Sequence, residues 1–393
     1  MNQLNRMVLY LFIFTVPFQR SIIIPYLGSL NKVMGIVLVM TAILTVLSNK
    51  SIKKLPITFI MLFLFLLLNL ASLFWGATME DGINKLLLYS QLMFTFWAVY
   101  EFIDTKSRIH NVLKAFVLGC TVIALQSLYS YLTIGSALVG EGNSRFALEG
   151  YNPNGLGIIW AFGLVIAAYL IFNVSRKYLL YIPLSVYLIF LTGSRTALIL
   201  TVIAALATLW YMFRHKVRFR KTVALVMLVS VAYVYFQIPQ AQLDRLATID
   251  DQFATGDLNG RTAIWQSGIR AMKESPIFGE GIGSFQEVSA VYSLTGTEMS
   301  SHNSYLSILV ENGMIGFIIF FAFVIGLFIY AWKTEGDKNL RWLSLTLISL
   351  WLVLSFASHS EAQKYTWIIF GIIISIYYIN KKISVGDGVE NAI

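Results

Sequence analysis

Three arginines and one histidine stand in stretches whose residue types could do chemistry. Arg145 lies in "GNSRFALEGYNPNG" (142–155), Arg195 in "LTGSRTA" (191–197), Arg261 in "NGRTAIW" (259–265) and His302 in "SSHNSYLSILVENGMIGF" (300–317). Each stretch borders a long apolar run. A guanidinium grips phosphate oxygens through parallel N–H donors and stays charged at physiological pH. A neutral imidazole can take a proton from a hydroxyl. Together these groups suit transfer to a hydroxyl nucleophile with an anionic leaving group.

Arg195 falls in the first turn of an expected helix, with Ser194 or Thr192 as its cap. A cation there opposes the helix dipole, a placement that makes sense if an anion sits at the same N-terminus. Read alone, Arg195 is equally an interface arginine with its stem along lipid. Arg261 opens the expected helix 261–275, which stops before Pro276. Helical spacing sets Arg261, Trp265, Gly268 and Met272 on one face. That suits a helix on the membrane surface aiming one arginine inward, and equally an ordinary amphipathic interface helix. A helix N-terminus and nearby arginines are expected to keep His302 neutral at pH 7, as a general base requires. A capping or interface histidine is the plainer reading. Asn303 is placed to orient His302 or to bind a sugar hydroxyl, with Ser194, Asn154 and Trp265 as supporting residues.

Other stretches carry less. "SPIFGEGIGSF" (275–285) matches neither a P-loop nor GxGxxG and reads as a tight turn. "IDDQ" (249–252) reads as solvated loop acids. HExxH, CxxC and Gly-x-Ser-x-Gly stretches do not occur, so no metal ligand and no cofactor is expected. His359 and Glu361, in "SHSEAQK" (358–364), are weaker candidates for the same site.

The elements that position these residues are membrane helices. The chain has 393 residues, 57% hydrophobic and 12% charged, where soluble domains carry about 25% charged residues. Mean hydropathy is +0.71. Apolar blocks without alternation lie near 7–27, 33–48, 55–75, 83–103, 111–134, 153–173, 178–193, 194–213, 222–238, 303–332, 339–358 and 365–380. Their length, about 20 residues, spans a bilayer core as a helix. The expected fold is an all-α polytopic integral membrane protein of about twelve transmembrane helices. Residues 1–238 hold nine spans, 239–302 a large, partly helical outer loop, and 303–393 three more spans and a tail. The first block is expected to be irregular. "PFQR" (17–20) is a poor cleavage site, so that block reads as a retained helix rather than a signal peptide. The lone cysteine, Cys120, permits no intrachain disulfide.

With the N-terminus in the cytoplasm, the inner loops collect 19 of the 29 Lys and Arg, as the positive-inside rule demands. Both termini are then cytoplasmic, and the three arginines and His302 share the outer face. The net charge of +9 reads as a topology signal, not as affinity for nucleic acid. The chemistry that fits is group transfer from an anionic, lipid-anchored donor whose diphosphate the arginines neutralise without a metal. A lipid-linked glycan transporter is the alternative. Transporters place functional charges near the bilayer centre, whereas these spans read as nearly free of charge.

In order and spacing, "TGSRTALI" (192–199), "GRTAIWQSGIRAMKESPIFGEGIGSF" (260–285) and "HNSYLSILVENGMIG" (302–316) resemble the O-antigen ligase and polymerase superfamily. "YNPNGLG" (151–157), after Arg145, resembles a more variable segment of that superfamily. The resemblance covers essentially the whole chain. It implies a GT-C-like glycosyltransferase of the bacterial inner (plasma) membrane, with its site facing the periplasm. The implied donor is a glycan on undecaprenyl diphosphate, its diphosphate bound by Arg195 and Arg261, with Arg145 assisting. The implied catalytic residue is His302, in a metal-independent, inverting reaction. A ligase would use lipid A-core as acceptor, in lipopolysaccharide biosynthesis. An O-antigen or capsule polymerase would use a lipid-linked repeat unit. Ligase-type transfer is the expectation and polymerisation its alternative.

Overall fold

The computed structural model describes residues 3–49, 52–76, 78–134, 145–237, 240, 261–292 and 298–390. "IDDQ" (249–252) and most of the outer loop near 135–152 lie outside them. A helix occupies each apolar block. They are α1 (Gln3–Thr15), α2 (Leu30–Asn49), α3 (Ile57–Ser72), α4 (Met79–Phe102), α5 (Lys106–Ile134), α6 (Pro153–Asn173), α7 (Tyr181–Leu191), α8 (Arg195–His215) and α9 (Arg220–Gln237). Two helices of the large loop follow, α10 (Arg261–Glu274) and α11 (Phe285–Tyr292). The chain then continues through α12 (Ser304–Trp332), α13 (Lys338–Leu354) and α14 (Lys364–Glu390).

Among the described residues, six helices are long and apolar enough to cross a membrane by themselves: α2, α5, α6, α8, α12 and α14. This is a multi-pass membrane protein. The expected count of twelve is supported in part, because the other helices are shorter or carry charge. α1, α3, α7 and α13 have 13, 16, 11 and 17 residues, below the roughly 20 that a bilayer core needs. α4 is long enough but carries Glu80, Asp81, Lys85 and Glu101. The first block is the most broken. Pro17 ends α1, and a two-stranded antiparallel piece follows, pairing Ile23 with Ser29 and Ile24 with Gly28. The fold is therefore nearly, not wholly, all-α.

Helix α6 is apolar on nearly every side, so it sits inside the bundle, against α5, α7, α8 and α13. Two glycines set its distances. A Cβ on Gly157 would lie 2.6 Å from Ala197 Cβ, and one on Gly163 would lie 2.2 Å from the Tyr181 hydroxyl. Small residues allow this close approach between membrane helices. The contact at Gly157 presses the first turn of α8 against the first turn of α6, which brings Arg195 near Asn154.

The loop after α10 is more than a turn. Gly279, Gly281 and Gly283 all have positive φ, and α12 breaks at Gly313, where φ is +62°. The break opens carbonyls of α12 that the glycine segment fills. Glu280 N–H donates to Val310 O (2.8 Å) and Gly281 N–H to Glu311 O (3.0 Å). In return Met314 N–H donates to Pro276 O (2.9 Å) and Ile315 N–H to Ile277 O (3.2 Å). Satisfying the groups freed by a kink with neighbouring backbone keeps the break stable in an apolar setting.

Candidate active site

The corner between α7 and α8 forms the first part of the site. Ser194 caps α8, its Oγ accepting from Ala197 N–H at 3.3 Å. Thr192 sits two residues earlier, and its Oγ1 accepts from Ser194 N–H (3.2 Å). Arg145 is anchored to this corner: its Nε donates to Thr192 O (3.1 Å) and its Nη2 to Asn154 Oδ1 (2.5 Å). Phe146 N–H adds a bond to Leu191 O (3.0 Å). Arg145, Asn154 and the start of α8 at Arg195 thus form one cluster.

The second cluster joins α10 to the residues before α12. Trp265 Nε1 donates to Ser301 O (2.9 Å), which fixes the Arg261 helix beside His302. Asn303 is the cap of α12, its Oδ1 accepting from Leu306 N–H at 3.1 Å. His302 itself is left-handed, with φ +46°, a costly conformation for a residue with a Cβ. It is held there by His359, whose Nε2 accepts the His302 backbone N–H at 3.0 Å. Because Nε2 accepts, the proton of the neutral ring is on Nδ1. Nδ1 faces Ser301 Oγ at 3.1 Å, and that hydroxyl gives its own proton to Asn303 O (2.9 Å).

The electrostatics follow from this packing. Burial, with help from Lys85 and His302, pushes the His359 imidazole down to about 3. His302 is also lowered, first by burial and then by the Arg261 guanidinium. The expected neutral His302 therefore owes more to desolvation than to arginines or a helix terminus. Burial likewise lowers Arg261.

A cavity of about 240 Å³ has Asn154 and His302 in its wall, while Arg145, Arg195 and Arg261 are not among its lining residues. Its ionisable lining is basic: Arg20, Lys364, His302 and His359, with the Tyr151 and Tyr365 hydroxyls. Among the described residues no carboxylate lines it. Arg20 Nη1 donates to Gly150 O (2.7 Å) and Lys364 Nζ to Asn31 Oδ1 (2.6 Å), so both are positioned rather than loose. Such a lining suits an anion.

Several of these residues escape a reading of the sequence. Arg20 and Lys364 are basic residues at the ends of spans opposite to the lysine-rich loops, which is a usable signal. Glu311 is a carboxylate inside an apolar block, 2% exposed, and pairs with Lys85 at 2.7 Å. The spans are thus less free of charge than their composition suggests, and a buried acid in a membrane helix is itself a functional signal.

Residues 180–321 match the family model described as O-antigen ligase. The matched segment contains Arg195, Arg261 and His302, but neither Arg145 nor His359. An uncharacterized protein of Haemophilus influenzae (strain ATCC 51907 / DSM 11121 / KW20 / Rd) is 24% identical over 132 residues, which are 32% of this chain. The chain matches only 33% of that relative's length. Segment 180–321, about a third of the chain, is thus similar to the O-antigen ligase family.

Proposed function

We propose that this protein is a membrane glycosyltransferase that moves a glycan from undecaprenyl diphosphate to an acceptor hydroxyl at the periplasmic face. His302 takes the proton of the acceptor O–H as its oxygen attacks the anomeric carbon. The bond from that carbon to the diphosphate oxygen breaks with inversion, and undecaprenyl diphosphate leaves. Arg195 and Arg261, assisted by Arg145, bind the donor diphosphate, and together with Arg20 and Lys364 they balance the charge that develops on it. The observation that carries this reading is the basic cavity with His302 in its wall, inside a chain matched to the O-antigen ligase family. Lipid A-core is the acceptor in this ligase reading, and a lipid-linked repeat unit, the acceptor of a polymerase, is the alternative. The reaction as written uses no metal.

The test uses purified full-length protein in nanodiscs with a lipid-diphosphate glycan and EDTA. Lipid A-core and lipid-linked repeat units are offered in separate reactions. Product on lipid A-core supports the ligase, and a ladder on the repeat units makes the protein a polymerase. No product with either acceptor, in folded protein, overturns the transferase reading and returns attention to transport.

A further inference from the structure

A cavity of about 600 Å³ lies at the end of the bundle away from His302. Its volume is within the range of about 300–1,000 Å³ usual for small-ligand sites. Its walls come from the segment before α3, the ends of α4 and α12, and α14. Helix α14 sets its depth. Lys364 lines the basic cavity beside His302, and Lys382, on the same helix, lines this one. The helix between them rises about 27 Å at 1.5 Å per residue, close to the roughly 30 Å of a hydrocarbon core. The cavity is therefore level with the headgroups of the opposite leaflet.

Three lysines converge on it, Lys53, Lys54 and Lys382, against one carboxylate, Asp104. That carboxylate is already paired with Arg108. The neighbouring Glu101 is engaged as well, its oxygens accepting the Lys53 backbone N–H at 3.0 and 3.3 Å. Among the described residues none of the three ammonium groups forms an ion pair. Lys53 Nζ donates to Tyr100 O (2.6 Å) and Ile103 O (2.9 Å), which fixes it and leaves its third N–H uncommitted. Burial pushes its pKa down to about 8, although Glu101 pulls the other way, so an anion beside it relieves a standing cost. Lys54 and Lys382 stand at the exposed rim. Lysines scattered along a loop are only a topology signal, but these three share one preformed hollow. The Tyr378 ring packs 5.8 Å from that of Tyr100 and 5.8 Å from that of Tyr330, and all three line the wall. Ile57 belongs to the same wall and is exposed, as are Ile60 and Leu64 at helical spacing along α3. An apolar face thus leads from the cavity into the hydrocarbon.

We propose that this cavity binds the headgroup of an anionic phospholipid, with Lys53, Lys54 and Lys382 around its phosphate and an acyl chain along the Ile57–Ile60–Leu64 face of α3. Unpaired cations in a pocket between membrane helices are the chemistry that holds such headgroups. The depth of the cavity and the apolar face leading from it favour a lipid over a free phosphate compound. The inference is independent of the transferase reading, because no residue of this cavity takes part in that reaction.

The experiment titrates purified full-length protein in detergent with dioleoyl phosphatidylglycerol and reads bound lipid by native mass spectrometry. Dioleoyl phosphatidylcholine is the zwitterionic control. Inorganic phosphate and glycerol phosphate are competitors without tails. Lys54→Gln/Lys382→Gln removes two charges from exposed positions, and Ile57→Trp fills the mouth of the cavity without changing charge. Lys216→Gln/Lys221→Gln removes two exposed charges between α8 and α9, at the same end of the bundle, and is the control for surface charge. Melting curves without added lipid check that each variant is folded. Phosphatidylglycerol binding to wild type, weakened about tenfold or more in both cavity variants, unchanged in the control variant and not displaced by the two competitors, is the expected result. Equal binding of phosphatidylcholine, an equal loss in the control variant, or unchanged binding in the cavity variants overturns the proposal. Displacement by phosphate or glycerol phosphate makes the ligand a free phosphate compound and overturns the lipid assignment.

Discussion

The backbone N–H of His302 donates to Nε2 of His359 at 3.0 Å, and this single bond holds His302 in a left-handed conformation. The two ring centroids are 5.4 Å apart, a tilted contact, so His359 touches both the backbone and the ring of its neighbour. His359 is thus a positioning residue. His359→Ala leaves the His302 N–H unpaired, which costs about 1–3 kcal/mol, and kcat is expected to fall about 10- to 100-fold. His359→Gln offers a carbonyl oxygen to the same N–H and restores part of the rate. The pH profile of either variant keeps its acid limb, because His359, at about 3, is neutral throughout the working range. A shifted limb would make His359 a proton carrier instead.

The acid limb belongs to His302. A general base must be neutral to act, and burial and Arg261 lower the His302 pKa from 6.5. As pH falls from 7, the midpoint of the decline in kcat/KM should lie below 6.5. Arg261→Gln removes one of the two causes and leaves burial. Its limb therefore moves up toward 6.5 without passing it, which steady-state rates between pH 5 and 8 would reveal. A limb at or above 6.5 in the wild-type protein would remove His302 from the role of base.

How much of this is legible in the sequence depends on how local each interaction is. The Ser194 cap of α8 and the start of α10 at Arg261 follow from residue order within one helical turn, and both occur. His302 is conspicuous because a titratable residue precedes a long apolar run. The bond that fixes it is not conspicuous, since His359 meets a backbone N–H, and a backbone N–H has no residue-type signature. Arg20 reaches the basic cavity only because Pro17 ends α1 early, and Lys364 only because the last helix begins beside it. Hydropathy marks where apolar residues are, but not where a proline or a backbone kink divides them, and among the described residues six helices are long and apolar enough to span a membrane by themselves.

The glycine segment illustrates a non-local contact with a sharp consequence. Gly281 has φ +94°, and a Cβ there would lie 2.4 Å from Gly76 Cα and 2.8 Å from Gly76 N, which are backbone atoms and cannot turn aside. Gly336 has a similar φ of +80° and nothing within 4 Å of its Cβ position. Gly336→Ala should cost only the conformational penalty of about 1–2 kcal/mol. Gly281→Ala adds overpacking of about 1–3 kcal/mol and breaks the docking of this segment onto the Gly313 kink. Thermal melting should fall clearly further for Gly281→Ala than for Gly336→Ala. Equal losses would mean that the close approach of Gly281 to Gly76 does not constrain the fold.

Two of the arginines open helices and the third braces the α7–α8 corner. Arg195 opens α8, and Arg261 opens α10 beside His302. If both grip the donor diphosphate, Arg195→Ala and Arg261→Ala each remove charge-assisted bonds worth about 1.5–3 kcal/mol. Donor Kd should then rise about 10- to 100-fold while acceptor KM is unchanged. Lysine at either position keeps the charge but loses the two-pronged geometry, so rescue should be partial. Arg145 is different, because its side chain holds Thr192 O and Asn154. Arg145→Ala should lower the melting temperature as well as donor affinity, whereas Arg261→Ala should melt close to wild type. Donor titrations by tryptophan fluorescence, paired with melting curves, give both quantities. Unchanged donor affinity in Arg195→Ala and Arg261→Ala would end the diphosphate assignment, and an unchanged melting temperature in Arg145→Ala would mean that its bonds to the α7–α8 corner do not support the fold.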